Sequence, residues 1–151
     1  MNRAAAKLVP VALPFLILAA CSGPEGVVPG NAEDPRPFSE IGADEEMRFT
    51  GTEPFWGGSV LGESLTYTTP ENIDGTTIAV SRFAGRGGVT WSGTLDGQSF
   101  DLMVTPGKCS DGMSDKSYPF VATLQLGTQQ LEGCAWRASY PPADRAETPA
   151  Q

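Results

Sequence analysis

Residues 89–105 read VTWSGTLDGQSFDLMVT, two alternating runs separated by the dipeptide Asp96-Gly97. In the first run Val89, Trp91, Gly93 and Leu95 share one side, and Thr90, Ser92 and Thr94 the other. In the second, Phe100, Leu102 and Val104 fall together. Side chains of a strand alternate between faces, and Asp-Gly supplies the positive φ that a two-residue hairpin requires. The pattern recurs along the chain. PFVATLQL sets Phe120, Ala122, Leu124 and Leu126 against Val121, Thr123 and Gln125, and Gly127-Thr128 turns it into QQLEGCAWR. Earlier runs are MRFTG, WGGSVLG, SLTYTT and TIAVSRFA, punctuated at Gly62-Glu63, at Asp74-Gly75 and loosely at 85–88. No segment between them has a convincing helical period. The expected fold is all-β, a small antiparallel meander of seven to eight strands curled into a barrel or sandwich. Closure into a barrel would remove exposed sheet edges.

The flanks differ from this core. Arg3 and Lys7 precede an apolar run over 8–20 that is short for a membrane span and has the layout of a secretory signal. The run ends in Leu18, Ala19, Ala20 and Cys21. This resembles the bacterial lipobox. The resemblance implies cleavage before Cys21, a diacylglycerol on its sulfur and an acylated new N-terminus, so that several chains anchor the protein. Ser22 follows; in Gram-negative bacteria a serine there implies sorting to the outer membrane. The expected organisation is a lipoprotein signal peptide over 1–20, the lipidated Cys21 and a flexible tether rich in Pro, Gly and acid over 21–46, the β-domain over 47–138, and a disordered tail over 139–151.

Without Arg3 and Lys7 the 10 basic residues fall to 8 against 18 acids, a net charge of −10. That balance argues against nucleic acid as a partner, and against anionic membrane surfaces, which leaves the lipid anchor as the membrane contact. It suits a basic protein, or solubility alone. The chain has no histidine. A Ser–His–Asp triad, a Cys–His pair and a histidine zinc site are thereby excluded. No cofactor or metal is expected, and the chain is read as a non-enzyme. Of 3 cysteines, Cys109 and Cys134 are the pair left if Cys21 is lipidated. In an exported chain a disulfide is their default state, with free thiols or a metal pair as the alternative. The loop it closes would be worth about 3.5 kcal/mol in the chain-entropy picture.

Three stretches are candidates for function. In GTEPFWGG, residues 51–58, the consecutive rings of Phe55 and Trp56 must point to opposite faces of a strand. One enters the core. The other covers an edge, or forms a binding patch with Glu53. In KCSDGMSDKSYPF, residues 108–120, Cys109 is a staple and Asp111-Gly112 a turn. Asp111 and Asp115 either bond to backbone amides of the turn or offer oxygens to a cation, though calcium needs six or more. Met113 is either buried against the disulfide or exposed as a contact, and Tyr118 before Pro119 fastens the loop to the barrel. In GCAWR, residues 133–137, Trp136 shares the Cys134 side of its strand, and Arg137 is a partner for Asp111 or Asp115.

Taken together, GTEPFW, CSDGMSD, YP and GCA resemble a family of bacterial envelope proteins described only as predicted membrane proteins or lipoproteins. The resemblance spans roughly 47–137 and implies one exported domain with the Cys109–Cys134 pair. It implies no activity. A looser architectural similarity is to the membrane-bound inhibitors of c-type lysozyme, which are small lipid-anchored antiparallel barrels with a disulfide. On these grounds the expected function is a lipid-anchored, non-catalytic protein-binding module of the envelope, with a basic envelope protein or muramidase as partner. The binding residues would be Glu53, Phe55, Trp56, Asp111, Met113, Asp115 and Tyr118. The alternatives are a structural envelope lipoprotein, a barrel holding a small ligand, and a hydrolase using Glu53, Asp111 and Asp115, for which no cleft is legible.

Overall fold

The computed structural model describes residues 36–144. The expected signal peptide, the expected lipidation site Cys21 and most of the expected tether lie outside these residues, as do positions 145–151 of the expected tail. Eight strands follow one another: β1 Met47–Thr52, β2 Phe55–Leu61, β3 Ser64–Thr69, β4 Asn72–Ala84, β5 Val89–Leu95, β6 Gln98–Cys109, β7 Lys116–Leu126 and β8 Gln129–Arg137. Each pairs antiparallel with its neighbours in sequence, and β8 returns to β1 with Cys134 opposite Thr50. The result is a closed up-and-down barrel, and no helix occurs among the described residues.

The turns explain the register. Asp96 and Gly97 both have positive φ, 50° and 79°, and close Leu95 on Gln98 as a two-residue hairpin. Gly62-Glu63 and Gly127-Thr128 make the same short connection. Asp74-Gly75 does not. The β3–β4 turn is Pro70-Glu71, and Asp74-Gly75 lies inside β4, where the register shifts between Tyr67 and Thr69. Gly75 takes a φ of 79° there, and its amide bonds to Asn72 Oδ1 at 3.1 Å. The glycine that reads as a turn signal is a bulge.

One face of every strand fills the barrel. Phe49, Trp91, Phe100, Phe120, Leu65, Leu102 and Leu124 are among the fully buried side chains. Eight strands give an interior just wide enough for side chains to fill. The expected face assignments hold: Val89, Trp91 and Leu95 are buried, and so are Phe100, Leu102 and Val104.

The packed region starts before residue 47. Ile41 is 1% exposed within the core, and Phe38 packs against it. Phe38 N–H donates to Gly85 O at 2.7 Å, and Arg82 Nη2 donates to Ile41 O at 2.6 Å. Residues 36–46 were expected to be tether because they lack an apolar period. Two apolar anchors and two arginines suffice to seat them across a barrel end. Arg137, expected to meet Asp111 or Asp115, instead donates to Glu45 Oε2 at 3.1 Å and to Glu40 O, and lies over the Phe120 ring. Past the other boundary a short strand, β9 Ala143–Asp144, pairs with Ser117 and Lys116.

Candidate functional site: a stapled loop beside the first hairpin

In an up-and-down barrel the β1–β2 turn and the β6–β7 loop emerge at opposite ends. Here they meet. The β6–β7 hairpin overshoots its neighbours: Cys109 is opposite Tyr118, whereas Cys134 on β8 is opposite Val121, three residues further along β7. The Cys109–Cys134 disulfide, with Cα atoms 5.6 Å apart, therefore curls the hairpin tip back over the outer wall. Cys134 and Thr50 are cross-strand partners, and Thr52 is two residues beyond Thr50 on the same face. The returning loop lands on that row, where Thr52 Oγ1 donates to Asp111 O at 3.1 Å. Tyr118, 6% exposed, seals the fold-back with its ring 5.4 Å from that of Trp136.

Asp111 is the hub of the loop. Its Oδ1 accepts from the amides of Met113 and Ser114 at 3.0 and 2.8 Å. Its Oδ2 accepts from Ser114 Oγ at 2.7 Å and from Tyr118 Oη at 2.9 Å. The Ser114 amide, then the Ser114 hydroxyl and the Met113 amide, hold this carboxyl well below the usual carboxylate range. Burial, and then the bond to Asp111, pushes the Tyr118 hydroxyl up. Four internal donors use the oxygens that a cation would need. No group of three or more His, Cys, Asp or Glu side chains is placed to hold a metal among the described residues.

The depressed Asp111 value links stability to pH. Unfolded, the carboxyl titrates near its ordinary value, about 3.9; folded, it stays ionised to lower pH. The bonds thus stabilise the fold fully above about pH 5, and their contribution is lost as pH falls through the unfolded value toward the folded one. The urea midpoint is expected to drop between about pH 5 and pH 2, and Asp111→Asn should flatten that drop. Equal slopes for the two proteins would contradict this role.

The residues singled out from sequence divide in two. Trp56 is 3% exposed and belongs to the core, Tyr118 is buried, and the Asp111 carboxylate is committed to its own loop. These three are engaged within the fold, and Trp56 also lines a groove on the outer wall. Phe55 is 53% exposed and Met113 71%, while Glu53 and Asp115 face solvent. Phe55 and Trp56 do point opposite ways. Cys109 and Cys134 form the staple.

Sequence reasoning missed a groove of about 430 Å³ beside Phe55. Gly57, Thr68, Pro70, Ile73 and Trp136 line it as well. Thr50, Gly57 and Thr68 form one cross-strand row, and the missing side chain at Gly57 leaves a dent in that row. Ile73, 80% exposed, stands at one side, and Trp136 joins the groove to Tyr118 of the curled loop. The signal was available. An isoleucine beside Asp74-Gly75 is as out of place in a polar stretch as Met113 is in its loop. No family model, no curated protein and no solved structure matches this chain.

Proposed function

We propose that this chain is a non-catalytic protein-binding module of the bacterial envelope, anchored by lipid at Cys21 and sorted to the outer membrane. Its contact surface is the outer wall where the stapled loop meets the β1–β2 turn. The observation that carries this reading is the fold-back itself. A disulfide, a four-donor carboxylate and the Thr52 bond fix the loop in place, while Met113 points to solvent at its tip. A loop held rigid with its apolar side chain exposed loses little entropy on binding. Phe55 and Ile73 add exposed apolar surface on the same flank of the barrel. A filled interior disfavours the small-ligand alternative, and the engaged Asp111 disfavours the hydrolase.

The partner class is a basic envelope protein, with muramidases of the c-type lysozyme kind as the specific candidate. Acidic groups around the surface would steer such a partner and raise its association rate. Glu53→Lys with Asp115→Lys leaves the buried contacts alone and should slow association with c-type lysozyme roughly tenfold at low salt. An association rate unchanged by the double reversal would remove this face from the interface. A folded chain that does not bind lysozyme would end the inhibitor reading.

A further inference from the structure

The groove beside Phe55 has a distribution of charge that says what it would accept. None of its lining residues is ionisable. On the β1–β8 side, the chain neighbours of Phe49 and Trp136 are Arg48 and Arg137, and both are neutralised: Arg48 Nε lies 3.3 Å from Glu46, and Arg137 Nε 3.1 Å from Glu45. Two carboxylates belong to the β3–β4 side of the groove and a third to the β1–β2 turn at its end. Glu71 follows Pro70, Asp74 follows Ile73, and Glu53 lies two residues before Phe55. None of the three has an ion pair among the described residues. An uncharged floor is therefore bordered by uncompensated negative charge.

We propose that this groove seats a single apolar side chain, aromatic or branched, from a partner protein segment in which lysine or arginine flanks that residue. The apolar side chain lies on Gly57 between Phe55, Ile73 and Trp136, and the flanking cations face Glu71, Asp74 and Glu53. The inference rests on the protein-binding reading and narrows it to one pocket and one sequence chemistry in the partner. A cation flank gives orientation and encounter rate, and the buried apolar group gives affinity. A glycine at 57 is required for the dent. A Cβ there would stand 2.9 Å from Phe49 O, and would fill the floor.

The test uses the full chain and three synthetic peptides: one phenylalanine between paired lysines, the same peptide with alanine at the centre, and the same with glutamates as flanks. Amide chemical shifts of Gly57, Thr68 and Ile73 are followed. The lysine-flanked phenylalanine peptide should move these signals saturably, and each altered peptide should bind roughly tenfold more weakly. Phe55→Ala with Ile73→Ala, both exposed positions, should weaken the first peptide by a similar factor while the remaining amide spectrum is unchanged. No saturable shift, equal binding of the three peptides, or shifts confined to other walls would overturn the proposal. c-Type lysozyme, titrated in parallel, separates the two readings. Lysozyme binding that ignores Phe55→Ala with Ile73→Ala sinks the groove and leaves the module. Absence of lysozyme binding with the peptide pattern intact keeps the groove and removes only that partner.

Discussion

Replacing Trp56 by alanine is expected to destabilise the barrel by about 3–5 kcal/mol, while the same change at its neighbour Phe55 should cost under about 0.5 kcal/mol. The two rings are adjacent in sequence and opposite in environment. Trp56 lies 5.7 Å from Phe49, centroid to centroid, and reaches across two glycines. A Cβ on Gly51 would be 2.0 Å from its Nε1, and one on Gly133 would be 3.0 Å from its Cζ2. The indole thus occupies space that two residues on β1 and β8 leave vacant. Neither glycine has a side chain to move in when the indole is removed, which keeps the cost toward the high end for its size. The buried Nε1 has no hydrogen-bond partner among the described residues. Trp56→Phe therefore forfeits packing alone and should recover much of the loss. Urea midpoints of the three variants decide the matter. A Phe55→Ala loss equal to that of Trp56→Ala would reverse the assignment of faces.

Removing the disulfide, by reduction or by Cys109→Ala with Cys134→Ala, is expected to cost about 3–4 kcal/mol. For a domain of this size that corresponds to a fall in Tm of roughly 10–20 °C. The loss has a local side as well. Cys109 must fold back to reach Cys134, and the Asp111 bonds to Ser114 and Tyr118 form only in the returned loop. Amide exchange of Met113 and Ser114 should accelerate before that of the core strands. Scanning calorimetry and hydrogen exchange on oxidised and reduced protein give both numbers. Unchanged protection of Ser114 after reduction would mean that Asp111 and Thr52 hold the loop without the staple.

Much of the barrel was legible because a filled eight-stranded meander writes its inward face into every second residue. Val89, Trp91 and Leu95, then Phe100, Leu102 and Val104, could be placed from alternation, and Asp96-Gly97 named its own turn. Asp74-Gly75 misled for a physical reason. A positive-φ glycine serves a hairpin and a bulge equally, and only the pairing partner tells them apart. Residues 36–46 misled because two anchors, Phe38 and Ile41, have no period. The candidate surface was half legible. The disulfide and the split between Phe55 and Trp56 followed from local rules. The groove did not, since it depends on Gly57 lying between Thr50 and Thr68, a relation of register rather than of sequence distance. Nor did the meeting of Thr52 with Asp111, which are 59 residues apart and belong to opposite ends of the topology.

The most direct test of the account maps the binding face. The oxidised full chain is titrated with c-type lysozyme while its backbone amide shifts are recorded. The account predicts perturbations that cluster at 52–57, at 70–74 and at 110–115, with the wall bearing Phe83 and Met103 silent. Lysozyme binding with perturbations on that silent wall would contradict it, and no binding by a chain whose spectrum shows it folded would end the inhibitor reading.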